Sequence, residues 1–112
     1  MGVRSHQLDV YGVWLHLATS RKQWRTLDRR HGVGALEPGD YGRTATSGDL
    51  NFAVYLNLKQ LDGAGLVEII AHESAHFAGL VLDSIGQGYD GESEAHAYLV
   101  GWCAAWLWEQ VS

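Results

Sequence analysis

Cysteine is almost missing from this 112-residue sequence, which contains only Cys103. A single cysteine excludes an internal disulfide and a zinc site built on several thiolates, and Cys103 lies in an apolar stretch typical of a buried filler. Long apolar runs are missing too, since no stretch approaches the ~18 apolar residues of a membrane span. The N-terminal stretch over 10–17 is interrupted by Gly12 and His16 and carries no cleavage signal. We therefore expect a cytoplasmic protein that does not contact a membrane.

Positive charge is also scarce. Eight lysines and arginines stand against 13 aspartates and glutamates, which gives a net charge of −5. The basic residues concentrate in the first 43 positions, and their local cluster over 21–30 is typical of a solvated helix face. The acidic balance elsewhere argues against nucleic acid as a partner. With 46% hydrophobic and 19% charged residues, the composition predicts one globular domain over residues 1–112.

The pattern of apolar, β-branched and turn-forming residues predicts an α+β domain with the order β-α-β-β-α-α. The two middle strands should form a hairpin around the Gly48-Asp49 turn. Thr19 or Ser20, Asp62 and Asp90 are suited to cap the three helices. The predicted elements are a strand over 8–17, a helix to about residue 30, strands over 41–47 and 51–58, a helix from about 63 into the low eighties, and a helix from 91 to about 110.

The segment His72-Glu73-Ser74-Ala75-His76 is an H-E-x-x-H motif in the longer helix. On a helix the two histidines lie one turn apart on one face, where both imidazoles can reach one metal ion. Glu73 lies about a quarter-turn round and can contact a metal-bound water without being a ligand. The helix is apolar nearly all round, which predicts that it is buried. Because ionisable groups buried without partners are costly, burial favours a metal site over idle histidines.

A third ligand should come from the last helix, because catalytic zinc takes three protein ligands and leaves a fourth position for water. Glu92 and Glu94 stand at its start, about 200° apart on the helix, so only one can face the motif. Glu94 shares a stripe with Tyr98 and the small Gly101, which would allow close packing on the motif helix. We predict Glu94 as the ligand, with Glu92 as the alternative. Tyr98 is either a core residue or a catalytic hydrogen-bond donor.

Two further histidines bear on whether such a site would be open or closed. His96 lies opposite Glu94 on the last helix, beside Leu99 and Cys103, which favours a packed or surface side chain over a ligand. His16 is the histidine that the first strand could bring towards the motif. If either supplied a fourth protein ligand, the metal would have no position left for water.

With His72, Glu73, His76 and Glu94 in place, the chain resembles the gluzincin branch of the zincin metallopeptidases, whose third ligand is a glutamate on the following helix. The tail E-A-H-A-Y-L-V-G-W over 94–102 is similar to small H-E-x-x-H proteins encoded by tailed bacteriophages. The resemblance implies a zincin-like domain, in which a short, mainly antiparallel sheet packs on a buried motif helix and a C-terminal helix. It also implies that the strand over 51–58 forms the edge on which an extended peptide lies.

These features together predict a small zinc metallopeptidase with Zn²⁺ as its cofactor. Its substrate would be a peptide or protein, from a phage or its host if the chain is phage-encoded, and Glu73 would act as general base on a metal-bound water. A rival hypothesis is a phage assembly or host-interaction protein in which zinc only staples two helices. A third is an intracellular protease that cleaves a regulator by the same chemistry. The substrate and the oligomeric state stay open at this point.

Overall fold

The chain folds into an α+β domain, as predicted, in a computed structural model that describes residues 2–86 and 93–112. Its four strands form one sheet in the order β1-β2-β4-β3. The β1–β2 and β3–β4 pairs are antiparallel and the β2–β4 pair is parallel, so the sheet is mixed but mainly antiparallel. The elements are β1 (Arg4–Leu8), β2 (Val13–Ala18), α1 (Arg21–His31), β3 (Gly42–Thr46), β4 (Asn51–Leu56), α2 (Gly63–Ser84) and α3 (Glu94–Val111).

The N-terminal strand predicted over 8–17 was wrong, because that stretch contains the end of β1, a turn and most of β2. The amides of Tyr11 and Gly12 donate to the carbonyls of Leu8 and Asp9 at 3.2 and 3.1 Å. Gly12 has a φ of 66°, a left-handed conformation that glycine adopts without a steric penalty. Val10 and Tyr11 inside this turn have strong strand propensity, so the composition of the segment did not indicate a turn. The order is therefore β-β-α-β-β-α-α.

Two of the predicted capping residues, Ser20 and Asp62, occupy N-cap positions in the structure. The Ser20 hydroxyl accepts from the amide of Gln23 at 3.1 Å and caps α1, as predicted. Asp62 occupies the N-cap position of α2, as predicted, but its side chain makes no capping hydrogen bond. At α3 the Ser93 hydroxyl accepts from the amide of His96, and the predicted cap Asp90 lies outside the described residues.

The sheet lies between α1 on one face and the α2–α3 pair on the other. Alternation along β4 places Phe52 and Val54 in the core beneath α2 and α3, while Ala53 and Tyr55 pack with α1. A strand that is buried on both faces belongs in the middle of a sheet. β4 indeed lies between β2 and β3, so the expectation that the strand over 51–58 forms an edge was wrong. The edge strand next to α2 is β3.

Helix α2 is buried along one side only, so the prediction of a helix buried all round was also wrong. The motif histidines His72 and His76 lie on its exposed side. Alanine and glycine occupy much of that side. Such small residues are tolerated at the surface, although they count as apolar in a sequence pattern. By length and composition α2 could cross a membrane, a test that core helices also pass, and 44% of its apolar window is buried inside the domain. Its buried residues are Leu66, Ile70, Glu73, Ser74, Phe77, Ala78, Val81 and Leu82.

Candidate metal centre

The structure brings the two motif histidines together. The Nε2 atoms of His72 and His76 are 3.1 Å apart, and their ring centroids are 4.7 Å apart. Two nitrogens bound to one tetrahedral zinc ion at about 2.0–2.1 Å would lie about 3.3 Å from each other. The observed separation is close to that value, and it also suits a hydrogen bond in which one Nε2–H donates to the other ring. An open hollow beside His76, lined by Ala75, Gly79, Leu80 and Asp83, leaves this side of α2 accessible.

Glu73 is placed differently from the histidines that flank it. It is 4% exposed, whereas His72 and His76 are exposed. Its carboxylate oxygen Oε1 accepts a 2.6 Å hydrogen bond from the hydroxyl of Thr44 on β3, and the same hydroxyl lies 3.2 Å from the Glu73 carbonyl oxygen. The desolvation cost of a buried carboxylate is thereby offset in part by a strong hydrogen bond. The motif thus combines a solvent-facing nitrogen pair with a fixed, inward carboxylate.

Gly42 allows β3 to approach α2 closely at this point. A Cβ atom at Gly42 would lie 2.8 Å from Cγ2 of Ile69 and 3.1 Å from Oε2 of Glu73. Both distances are shorter than comfortable van der Waals contact, so a larger residue would displace one neighbour or the strand. Gly42 and Thr44 project to the same face of β3, because side chains alternate along a strand. Together they border both carboxylate oxygens of Glu73.

The predicted third ligand is not placed with the histidine pair. Among residues 2–86 and 93–112, no third histidine, cysteine, aspartate or glutamate joins His72 and His76 in a cluster suited to a metal. Glu94 is exposed in the first turn of α3, and Glu92 lies outside the described residues. Zinc coordination by Glu94 therefore stays a prediction.

The face of α3 that packs into the domain is opposite to the one expected. The buried residues are His96, Leu99, Cys103 and Leu107, whereas the stripe of Glu94, Tyr98 and Gly101 is exposed. Tyr98 is 50% exposed and, like Glu94, points away from the packed face. The small Gly101 favoured close helix packing in the sequence, but the larger apolar residues on the other face bury more area, and they decide the orientation.

Neither His16 nor His96 joins the pair formed by His72 and His76. His96 is 7% exposed and packs among apolar residues of α3, as expected. His16 lies on the α1 face of the sheet, so the expectation that it approaches the motif was wrong. Its Nδ1 is 2.7 Å from the Ser5 hydroxyl, its Nε2 is 2.8 Å from Oδ1 of Asn51, and its ring stacks on that of His31 at 4.7 Å. Burial lowers the pKa of His16 below its ordinary value.

Cys103 is fully buried on α3, as expected for a core residue. Burial raises the pKa of its thiol to about 12, so the thiol is protonated at neutral pH. A protonated, inaccessible thiol is neither a nucleophile nor a metal ligand. Cys103 is therefore a buried core residue, as the apolar stretch around it predicted.

Thr44 and Gly42 are the site residues that the sequence analysis missed. The segment G-R-T-A-T over 42–46 does show, by its alternation, that Gly42, Thr44 and Thr46 share one face of a strand. No signal in the sequence indicates which helix this face meets, because that depends on the packing of α2 across the sheet. Finding these two residues would have required a prediction that their strand lies at the sheet edge beside α2.

Comparisons of the chain with models of protein families, with curated proteins and with solved structures give no match. The chemistry of the site must therefore be argued from its donor atoms. Two neutral imidazoles are good ligands for zinc. The described residues thus place two imidazole nitrogens together and a buried carboxylate next to them in sequence.

Proposed function

We propose that this chain is a small zinc-dependent peptidase whose site contains His72, Glu73 and His76. The observation that carries the proposal is the contrast within the motif. Two exposed imidazole nitrogens converge at 3.1 Å, while the carboxylate between them in sequence is 4% exposed and hydrogen-bonded. An ordinary amphipathic helix keeps glutamate on its exposed side, because burial of a carboxylate has a desolvation cost. Burial of Glu73 beside two exposed histidines is therefore unusual for such a helix.

Each residue would have a distinct role in hydrolysis. Zinc, when bound, would supply a Lewis acid that polarises a carbonyl and lowers the pKa of a water towards neutrality. His72 and His76 would bind it through neutral Nε2 atoms, which requires that neither nitrogen carries a proton. The Oε1 atom of Glu73 is occupied by the Thr44 hydroxyl, so Oε2 is the atom that would take a proton from water and pass it to the leaving amine.

Glu94 is the carboxylate that we propose as the third ligand. It lies in the first turn of α3 and on the exposed side of that helix. Reaching the histidines would require the first turn of α3 to reorient when zinc binds. Coordination by Glu94 therefore predicts a local structural change in α3, in addition to a change in zinc affinity.

A peptide is the substrate class that the neighbouring strand favours. β3 is at the edge of the sheet, and the described residues pair only one of its sides, through β4. An unpaired edge provides a row of backbone donors and acceptors to which an extended peptide can add as a further strand. Because β3 also contacts Glu73, such a peptide would pass close to the proposed base. A cytoplasmic regulator and a phage or host protein are both compatible with this mode of binding.

The rival hypothesis, a zinc staple between α2 and α3, requires a site closed to water, whereas the histidines occupy the exposed side of α2. His72 and His76 are exposed, whereas α3 packs on α2 around buried residues such as Ser74, Phe77 and Ala78. A metal on the histidine pair would therefore face solvent. The exposed pair favours a metal that water and substrate can reach.

The proposal is tested by measuring zinc content and hydrolysis of an unfolded protein such as casein in the same preparations. We expect one zinc per chain, hydrolysis that a chelator stops and added zinc restores, and loss of both properties in His72→Asn. His6→Asn, which replaces a histidine on β1, serves as the control and should keep both properties. Zinc binding without hydrolysis would refute the peptidase, and an absence of zinc binding would refute the whole site.

A further inference from the structure

We infer that β3 is a positioning element for Glu73, in which Thr44 fixes one carboxylate oxygen and Gly42 keeps the other accessible. The inference rests on the proposed function, since it assigns roles towards the reaction that we propose for Glu73. It also has a purely structural part, which is that the contact between β3 and the carboxylate exists and is energetically significant. These two parts can be tested separately.

Thr44 holds one carboxylate oxygen of Glu73. Its hydroxyl donates to Oε1 across 2.6 Å, and it lies within 3.2 Å of the carbonyl oxygen of the same glutamate. Contacts with both the side chain and the backbone of Glu73 restrict rotation of the glutamate about its own side-chain bonds. A displacement of a catalytic group by about 1 Å can lower the reaction rate roughly 10²-fold. A restraint on Glu73 would prevent such a displacement.

Gly42 lies beside the other carboxylate oxygen of Glu73. Oε2 lies 3.1 Å from the position that a Cβ atom would occupy at Gly42. Any other residue there would crowd this oxygen, whereas glycine leaves its surroundings open on the β3 side. The φ angle of Gly42 is not among the positive values found in this chain, so backbone conformation does not explain the glycine. Close approach to Glu73 and Ile69 does.

The two carboxylate oxygens of Glu73 therefore have different surroundings. One oxygen of Glu73 has a fixed donor, and the lack of a side chain at Gly42 leaves the other uncrowded by β3, although the residue as a whole is only 4% exposed. A general base needs an oxygen that is not already engaged by a protein donor when the proton arrives. The G-x-T spacing on β3 provides this arrangement, because residues two apart on a strand face the same side.

Kinetics of the zinc-loaded protein test the functional part. Thr44→Val is nearly isosteric but removes the donor, and we expect kcat to fall roughly 10- to 100-fold with KM and zinc affinity unchanged. Thr44→Ser restores the donor and should return kcat close to the wild-type value. Thr46→Val is the matched control, since Thr46 lies on the same face of β3 and donates instead to the Asn51 carbonyl at 2.7 Å. A wild-type kcat in Thr44→Val, or an equal loss in Thr46→Val, would overturn the positioning role.

The role of Gly42 is tested with a pair of variants that separates its two contacts. Ile69→Ala removes the side-chain atom that a new Cβ would meet at 2.8 Å. Gly42→Ala in that background then adds only the contact with Glu73, and we expect kcat to fall relative to Ile69→Ala alone, with zinc affinity unchanged. Equal kcat values in these two variants would show that Gly42 is needed only for packing against Ile69.

A double-mutant cycle on urea unfolding of the metal-free protein tests the structural part without any activity. Thr44→Val should lower the urea midpoint in the wild-type background, because it leaves the buried carboxylate without its donor. In the Glu73→Leu background the same substitution should have almost no effect, because the acceptor is already gone. Equal shifts in both backgrounds would show that the contact is not formed. If the wild-type protein binds zinc but hydrolyses nothing, the proposed function fails, and the cycle alone decides whether β3 holds Glu73.

Discussion

The Thr44 hydroxyl and the Glu73 carboxylate are joined by a 2.6 Å hydrogen bond from β3 to α2. This contact fixes the inward orientation of Glu73, although the residue before it in sequence, His72, faces solvent. Adjacent positions on a helix differ by about 100°, so the boundary between the buried and exposed sides of α2 falls between them. The motif therefore places its two imidazoles and its carboxylate on either side of that boundary.

Removal of both imidazoles should abolish zinc binding at little cost in stability. His72 and His76 are exposed, and substitutions at such sites usually change the free energy of unfolding by less than about 0.5 kcal/mol. We expect the double variant His72→Asn/His76→Asn to lose zinc in a competition titration with a chromophoric chelator and to unfold near the wild-type urea midpoint. Retention of tight zinc binding would place the metal elsewhere in the chain.

Replacement of the proposed third ligand should weaken zinc binding and leave the metal-free protein unchanged. Glu94→Gln removes the charge of an exposed side chain, and we expect the dissociation constant for zinc to rise about tenfold or more, which corresponds to about 1.4 kcal/mol. Glu109→Gln, an exposed glutamate near the other end of α3, is the control. Zinc should also change amide hydrogen exchange in the first turn of α3. Equal affinities in the two variants would exclude Glu94 from the site.

The pH dependence of stability should reveal His16. Burial lowers the pKa of His16, which also faces His31 and Arg30 from α1 and Asp49 from the β3–β4 turn. Because the folded state resists protonation, His16 contributes stability that is fully present above the unfolded pKa of about 6.5 and is lost as pH falls below it. Between pH 7.5 and 5.5 the urea midpoint should fall less in His16→Gln than in the wild type. Parallel curves would contradict this assignment.

Cys103 should be inert in the native protein. Burial raises the pKa of its thiol to about 12, so iodoacetamide at pH 8 finds neither an accessible nor an ionised sulfur. We expect alkylation, followed by mass spectrometry, to be slow in buffer and fast in urea. Above pH 9 the unfolded thiol ionises while the folded one does not, so stability should decline there. Rapid alkylation in buffer would show that α3 does not hold Cys103 in the core.

Local signals in the sequence predicted the local structure correctly. Asp62 and the glycine after it correctly predicted the start of α2, and the spacing of His72 and His76 correctly predicted that their rings meet. Features that depend on tertiary packing were not predictable in this way. The orientation of α3 could not be predicted from Gly101, because small residues fit both an interface and a surface. The role of Thr44 depends on which strand reaches α2, and sheet order is a non-local property.

Hydrolysis of an unfolded protein by the zinc-loaded wild type and by zinc-loaded Glu73→Gln tests the central claim most directly. The substitution keeps the size of the side chain and an oxygen that can accept from Thr44, but it removes the ability to take a proton. We expect both proteins to bind one zinc per chain and the variant to lose roughly 10²- to 10⁴-fold in kcat, the range typical of a missing general base. Cleavage by the variant at the wild-type rate would contradict the assignment of Glu73 as the base.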